Sequence, residues 1–166
     1  MSATVPALRV AINGFGRIGR YTAKLLLNNS DFNLLAINDL ADPTAIAHLL
    51  KYDSVHGKFD ANIRLSPHFL QVNEHDVALF SESNPENLPW KALNIDLVSE
   101  CTGRFTLKKD AEKHLHAGAK KVIISAPSQE SAIPMVVLGV NDQILSGEET
   151  LVSNASCTTN CLAPLV

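Results

Sequence analysis

A cysteine among small polar residues is the first feature of this sequence that could do covalent chemistry. Cys157 stands within Ser153-Asn-Ala-Ser-Cys-Thr-Thr-Asn-Cys161, directly after an apolar run that predicts a buried strand. The small polar residues before Leu162 predict the start of a helix, with Cys157 in its first turn. Free N–H groups and the positive end of the helix dipole would favour a thiolate and could hold a developing oxyanion. The pattern indicates a nucleophile, and a small core cysteine is the alternative.

A glycine-rich segment near the N-terminus has the spacing that dinucleotide-binding proteins use. Gly14-Phe15-Gly16-Arg17-Ile18-Gly19 matches G-x-G-x-x-G and lies between a predicted strand and a predicted helix. Gly14 would permit a tight turn, Gly16 would let a pyrophosphate approach the backbone, and Gly19 would let the helix pack on its strand. The first N–H groups of the helix are donors for the anion. The motif predicts a dinucleotide site. A glycine turn with a purely structural role, which could have the same sequence, is the alternative.

An acidic residue at the end of the next predicted strand strengthens this prediction. Asp39 lies twenty residues beyond Gly19, where a carboxylate can accept hydrogen bonds from the ribose diol of an adenosine. The same carboxylate would repel a 2′-phosphate, and no arginine stands beside it in the sequence. The predicted cofactor is therefore NAD rather than NADP. A helix cap or turn residue is the structural alternative for Asp39.

Alternating strands and helices would position these residues. Apolar patterning predicts strands at 8–13, 32–37, 95–100, 121–125, 135–140 and 150–153, and helices at 17–28, from Pro43, and at 107–117. Small antiparallel strands are expected within 58–81. The predicted fold class is α/β, a Rossmann-type, doubly wound, mostly parallel sheet with helices on both faces. One crevice at the carboxyl ends of the strands would then collect Gly14 to Gly16, Asp39, Thr102-Gly103, Ser125-Ala126 and Cys157.

Composition argues against several kinds of partner. The net charge is −3 with acids and bases interspersed, so we expect neither nucleic acid nor a membrane surface as a partner. Three cysteines and no signal-like N-terminus fit a reducing cytoplasm. We expect no metal site, and we expect His114 and His116 to lie on a solvated helix face among charged residues. The chain stops inside an apolar stretch, which favours a fragment of a longer protein.

Four segments of the sequence resemble the phosphorylating glyceraldehyde-3-phosphate dehydrogenases. They are Val10-Ala-Ile-Asn-Gly-Phe-Gly-Arg-Ile-Gly-Arg20, Leu50-Lys-Tyr-Asp-Ser54 with His56-Gly57, Ala117-Gly-Ala-Lys-Lys121, and the segment around Cys157. The resemblance spans nearly the whole chain. It implies an NAD-binding Rossmann domain at 1–153 and, at 154–166, the start of the catalytic-cysteine helix leading into a catalytic domain absent from this chain.

The resemblance also implies roles for individual residues. Cys157 would be the catalytic nucleophile, flanked by Ser156 and Thr158, with Thr158 helping to hold a phosphate of substrate or co-substrate. NAD would be bound by residues from three segments, namely Gly14, Phe15, Gly16, Arg17, Ile18, Asp39, Thr102, Gly103 and Ser125. Arg17 and Ile18 would line the pyrophosphate, and Thr102 and Ser125 the nicotinamide side. Glyceraldehyde 3-phosphate and inorganic phosphate would be the partners, and the full-length protein would be a homotetramer.

The implied reaction is oxidation and phosphorylation of the aldehyde through a cysteine thioester, a step of glycolysis and gluconeogenesis. The chain alone should be inactive, because the family places its general-base histidine downstream. One departure is that Ser83-Asn84-Pro85 stands where similar enzymes commonly have Arg-Asp-Pro. Erythrose-4-phosphate dehydrogenase, a sister family, is the first alternative. A nucleotide-binding module without catalysis is the second.

Overall fold

A single eight-stranded sheet organises residues 6–166, the part of the chain that this computed structural model describes. The members of this sheet are β1 (Leu8–Asn13), β2 (Phe32–Asn38), β5 (Ile63–Leu65), β6 (Phe69–Val72), β7 (His75–Phe80), β8 (Leu97–Glu100), β9 (Lys121–Ile124) and β10 (Leu151–Ser153). They lie in the order β10-β9-β8-β1-β2-β7-β6-β5. The strands β3 (Tyr52–Asp53) and β4 (Gly57–Lys58) pair separately as a short hairpin.

Strand direction separates the sheet into two parts. From β10 across to β7 all neighbouring strands are parallel, whereas β5, β6 and β7 pair antiparallel. The chain runs from β1 to β2 on one side and later returns to place β8 on the other side of β1. This reversal creates a crevice at the carboxyl ends of the strands, which is where doubly wound sheets bind ligands.

Helices cover both faces of the sheet. The helices α1 (Arg17–Leu27) and α2 (Pro43–Lys51) pack on one face around Ile12 and Ile37, and α3 (Lys108–His116) packs on the other around Ala11 and Val98. Ala11 and Ile12 belong to different cores because successive side chains of a strand point to opposite faces. The predicted fold class is confirmed.

Local capping explains where α2 begins. Asp42 precedes Pro43, and its carboxylate accepts hydrogen bonds from the N–H groups of Thr44 (2.8 Å) and Ala45 (3.3 Å). Hydrogen bonding from the Thr44 side chain, and after it these two backbone bonds, holds the pKa of Asp42 below its usual value. Pro43 occupies the first turn, where its missing N–H costs nothing, so the expected position of this proline is confirmed.

The strand predicted at 135–140 is wrong. In the structure Met135 makes one isolated bridge to Ser153, and a turn follows. The Asn141 side chain causes it, because its Oδ1 accepts from the N–H of Val137 (2.7 Å) and its Nδ2 donates to the carbonyl of Met135 (3.0 Å). Gly139, with φ of +79°, supplies the left-handed conformation that the turn requires. The apolar pattern of 135–140 predicts a strand only because it takes no account of Asn141, whose side chain forms the turn.

Candidate functional site

A crevice of about 300 Å³ lies at the carboxyl ends of β1, β2 and β8. It brings together four of the predicted cofactor-binding residues, which come from three segments of the chain: Gly14, Gly16, Asp39 and Thr102. The remaining lining residues, which the sequence analysis did not select, are Asn13, Asn38, Leu40, Glu82, Ser83, Cys101, Arg104 and Phe105. The reversal of strand order therefore forms a crevice where the motifs meet.

Each glycine of the motif has a separate structural reason. Gly14 has φ of +90°, and a Cβ there would lie 2.6 Å from the backbone nitrogen of Thr102. A Cβ on Gly16 would meet nothing within 4 Å, so this backbone is open to a ligand. A Cβ on Gly19 would collide with the carbonyl oxygen of Gly14. Gly14 and Gly19 therefore have the turn and the close helix packing that the motif predicts, and the backbone at Gly16 is open.

The start of α1 is suited to an anion. Gly16 is its N-cap residue and offers no side chain to cap the first N–H groups. Those groups remain available as donors, and the helix dipole adds positive potential at the same point. Arg17 and Ile18 follow in the first turn and are exposed, with Ile18 at 54%. The residues present fit a pyrophosphate group at this position.

Asp39 links the end of β2 to the glycine turn. Its Oδ2 accepts a hydrogen bond from the N–H of Phe15 (2.5 Å), and its Oδ1 accepts from the N–H of Ala41 (2.8 Å). The structural and cofactor roles are compatible, because a carboxylate has further lone pairs for ribose hydroxyls. The Phe15 ring is packed in the core at 3% exposure. Phe15 can therefore reach a cofactor only through its backbone.

The other five predicted cofactor-binding residues, Phe15, Arg17, Ile18, Gly103 and Ser125, are not among the lining residues of this crevice. Gly103 follows Thr102 with φ of +71° and is exposed. Ser125 is not among the lining residues, and its N–H bonds to the carbonyl of Glu100 (2.9 Å). Cys101 does line the crevice, and burial raises the pKa of its thiol, an effect opposed by hydrogen bonding to Ser99 and Ser125. Thr102 thus shares its pocket with Asp39 rather than with Ser125.

The segment that departs from the family pattern borders the same crevice. Ser83 and Glu82 line it, and Glu82 accepts a hydrogen bond from the N–H of Asn84 (2.8 Å), which leads the causes that lower the pKa of Glu82. Arg104 is the one cation among the lining residues of this crevice. No ion pair joins it to Asp39 in the described part of the chain. The guanidinium of Arg104 therefore shares the crevice with Asp39, although no arginine is close to Asp39 in the sequence.

The prediction that His114 lies on a solvated face is wrong. Its side chain is fully buried, because it occupies the same face of α3 as Ala111, three residues earlier, and that face packs on the sheet. It bonds to the carboxylate of Glu100 (2.9 Å) and to the indole of Trp90 (3.0 Å). The sequence does carry a signal for this burial, because His114 follows the small apolar residue Ala111 at a spacing of three, which puts both on one face of a helix. His116 is exposed as expected.

Cys157 begins the helix α4 (Cys157–Leu162), and it is exposed. Ser156 caps this helix, because its hydroxyl accepts a hydrogen bond from the N–H of Thr159 (3.0 Å). Ser156 and Thr158 flank the cysteine, and their hydroxyl oxygens are 2.9 Å apart. Before them, Ala155 is buried with φ of +55°, a strained conformation for a residue with a side chain. The chain thus turns sharply from β10 and presents the thiol at the surface.

Hydrogen bonds attach this turn to the neighbouring strand. The N–H of Asn154 bonds to the carbonyl of Ile124 (2.9 Å), and the Ser153 hydroxyl donates to the carbonyl of Ala126 (2.7 Å). The segment around Ser125 therefore lies beside the entry to α4, at the edge of the sheet that also forms the crevice. Cys161 lies one helical turn further on and is followed by apolar Leu162, a position that predicts a buried side chain. The structure shows it exposed, so this prediction is wrong.

A family model describing the glyceraldehyde 3-phosphate dehydrogenase NAD-binding domain matches residues 8–108. The match includes the glycine turn, Asp39 and Thr102, and it covers more than half of the chain. The chain belongs to this family. As a member of the glyceraldehyde 3-phosphate dehydrogenase NAD-binding domain family, it has the cofactor, NAD, that the sequence predicted.

Relatives of this family extend the similarity beyond the matched domain. Glyceraldehyde-3-phosphate dehydrogenase of Mycoplasma pneumoniae is 50% identical over 166 residues, which is 100% of the chain and 49% of the relative. The Geobacillus stearothermophilus protein of that name is 52% identical over 159 residues, 95% of the chain and 47% of the relative. That of Clostridium pasteurianum is 51% identical over 157 residues, with the same two shares. The chain spans about half the length of these curated relatives.

The described residues form neither a metal site nor a membrane-spanning helix. Among residues 6–166 of this family member, no three histidine, cysteine or acidic side chains cluster closely enough to hold a metal ion. No helix in the described part of the chain combines the length and apolar character needed to cross a membrane.

Proposed function

We propose that the chain supplies the cofactor site and the nucleophile of a phosphorylating glyceraldehyde-3-phosphate dehydrogenase. The observation that carries this proposal is the joint position of two features at one edge of the sheet. One is the crevice, where Asp39 bonds to the glycine turn (2.5 Å to the N–H of Phe15). The other is the exposed thiol of Cys157 at the start of α4.

In the proposed cofactor site, the open backbone at Gly16 and the first turn of α1, with Arg17 and Ile18, hold the pyrophosphate. Asp39 accepts hydrogen bonds from the adenosine ribose. Thr102 lines the facing side of that pocket. Gly103, exposed just outside the crevice, offers its backbone to the cofactor. Ser125, beside the entry to α4, contacts the nicotinamide end of NAD. NAD, when bound, accepts a hydride.

The proposed chemistry centres on the Cys157 sulfur. The general base removes the proton of the Cys157 thiol, and the thiolate adds to the aldehyde carbon. The carbonyl oxygen takes up that proton and becomes the hydroxyl of a thiohemiacetal on Cys157. A thioester on Cys157 results when that carbon gives up a hydride, for which NAD would be the acceptor, and the base takes the hydroxyl proton. Inorganic phosphate attacks the thioester carbon, releases the Cys157 thiolate and yields the acyl phosphate. Ser156 and Thr158, on either side of Cys157 in the chain, supply two hydroxyl groups whose oxygens are 2.9 Å apart and which bind phosphate oxygens.

The length of the relatives bears on how the complete protein is divided into domains. We propose that residues 1–153 form the cofactor domain and that 154–166 lead into a catalytic domain supplying the general base. The chain spans about half of each relative, which supports this division. We also propose a homotetramer for the complete protein and a cytoplasmic location, the latter supported by three free cysteines in the described chain.

The test is NADH formation by the complete protein with phosphate present, comparing glyceraldehyde 3-phosphate with erythrose 4-phosphate at equal concentration. We expect faster turnover of glyceraldehyde 3-phosphate and no acyl phosphate when inorganic phosphate is left out. Preference for erythrose 4-phosphate would assign the protein to the sister family. Activity with neither aldehyde would contradict the catalytic proposal and leave nucleotide binding alone.

Replacing Asp39 with glycine is expected to weaken NAD binding about tenfold, the effect of one lost hydrogen bond to a charged group. The same change should improve NADP binding relative to NAD, because it removes the negative charge facing a 2′-phosphate and leaves Arg104 in the same crevice. Titration of each cofactor against the variant measures both effects. Asp39→Asn is the comparison variant: it removes the charge, keeps one side-chain acceptor, and turns an amide N–H toward one of the two backbone N–H groups that Asp39 accepts from. An unchanged preference between the two cofactors would refute this role.

A further inference from the structure

A buried carboxylate lies beneath the crevice at the end of β8. The Glu100 side chain has 0% exposure and no role in the proposed reaction. Its Oε1 accepts hydrogen bonds from the N–H of Thr102 (2.7 Å) and from the Thr102 hydroxyl. Its Oε2 accepts from the Asn13 amide (2.6 Å) and bonds to Nε2 of His114 (2.9 Å). A buried carboxyl group is tolerated only with such partners, and here it contacts the crevice through two lining residues.

The bonds on the far side of His114 determine which nitrogen carries the proton. The indole N–H of Trp90 points to Nδ1 of His114 at 3.0 Å, and an indole nitrogen is a donor only. Nδ1 must therefore accept, so the ring proton lies on Nε2 and is donated to Glu100. Every polar neighbour of the two carboxylate oxygens is then a donor. An amide in place of the carboxylate would turn an N–H group toward two of them.

The same network reaches the opposite wall of the crevice. The Asn13 carbonyl oxygen accepts from the Asn38 amide (2.7 Å). Asn38 in turn accepts from the N–H of Glu82 (2.8 Å) and donates to its carbonyl (2.9 Å). Glu100 is thereby connected to Thr102 on one wall and, through two amides, to the segment around Glu82 on the other.

We propose that Glu100 is a positioning residue that sets the width of the adenosine half of the cofactor crevice, acting chiefly through Thr102. The reason is steric as well as electrostatic. The Thr102 hydroxyl donates to Glu100 and accepts from the N–H of Arg104 (3.0 Å), so the whole segment is anchored to the carboxylate. The backbone nitrogen of Thr102 is also the atom nearest to a Cβ built on Gly14, at 2.6 Å. The position of Thr102 therefore decides how closely the glycine turn and the facing wall approach. This inference rests on the proposed cofactor site.

The experiment is a double-mutant cycle on NAD affinity, measured by titration of the complete protein. Glu100→Gln is expected to weaken NAD binding about tenfold, and Thr102→Val, which removes the hydroxyl at nearly constant volume, by a similar factor. Because both act through the same contact, the double variant should lose about tenfold rather than a hundredfold. Thr102→Ser should recover most of the affinity lost in Thr102→Val. Glu112→Gln, the same chemical change on α3 away from the crevice, should bind NAD as the unchanged protein does.

The outcomes separate the possibilities. If Glu100→Gln lowers the melting temperature while NAD affinity stays unchanged, or if the two losses multiply, Glu100 is structural only and the inference is wrong. If Glu100→Gln does not fold, the Thr102 variants decide, and equal affinity of the valine and serine forms overturns the inference. If the unchanged protein fails to bind NAD, the proposed cofactor site fails and the inference with it. Binding by the unchanged protein together with unaltered Glu100→Gln affinity refutes this inference alone.

Discussion

Replacing Cys157 with serine is expected to lower NADH formation from glyceraldehyde 3-phosphate by at least about 10³-fold, the scale of loss when a covalent nucleophile is removed. The serine hydroxyl stays protonated at neutral pH and adds to an aldehyde far more slowly than a thiolate. Initial rates in the complete protein measure the effect. NAD affinity should change little, because Cys157 is not among the lining residues of the crevice.

The chain supplies a matched control for this experiment. Cys161 lies in the same helix, four residues further on, and is also exposed. Cys161→Ser is expected to retain most of the activity, because Cys161 does not lie in the first turn of α4. Alkylation followed by mass spectrometry should label Cys157 faster than Cys161 and should be slowed by the aldehyde. Equal loss of activity in both serine variants, or an active Cys157→Ser protein, would contradict the assignment of the nucleophile.

Replacing Gly19 with alanine is expected to destabilise the protein by about 3 kcal/mol and to abolish measurable NAD binding. The new Cβ would collide with the carbonyl oxygen of Gly14 and would lie 3.2 Å from Cγ2 of Ile12. The first of these atoms is backbone and belongs to the turn that would hold the pyrophosphate. The collision can therefore be relieved only if α1 moves away from the sheet. Denaturant unfolding gives the loss of stability, and cofactor titration gives the loss of binding.

Gly16→Ala is the comparison that separates packing from ligand approach. Gly16 has φ of −69°, which alanine adopts readily, and its added Cβ would meet nothing within 4 Å. We expect its free energy of unfolding to change by less than about 0.5 kcal/mol. NAD binding should nevertheless weaken, because the methyl group enters the space where the pyrophosphate approaches. Similar stability of the Gly16 and Gly19 variants would show that the glycines do not have these separate roles.

Much of the fold could be predicted because its signals are local. The apolar run of β1, the glycine turn and the helix α1 are adjacent in sequence, and their order alone indicates a strand, a turn and a helix. Asp39 was selected from its distance along the chain, and the structure places it against the glycine turn. The strand predicted at 135–140 was wrong because the prediction rested on the apolar residues alone. The Asn141 side chain bonds to the backbone there and forms a turn.

What the sequence by itself determined was the set of local motifs, the class of fold and the family resemblance, since each depends on neighbouring residues or on spacing along the chain. Only the tertiary structure decided which distant polar side chains meet. Glu100, His114 and Trp90 are separated by up to 24 residues, and no pattern in the sequence pairs them. They come together because the packing of α3 on the sheet turns His114 inward, and a buried polar group must find its partners wherever the fold brings them.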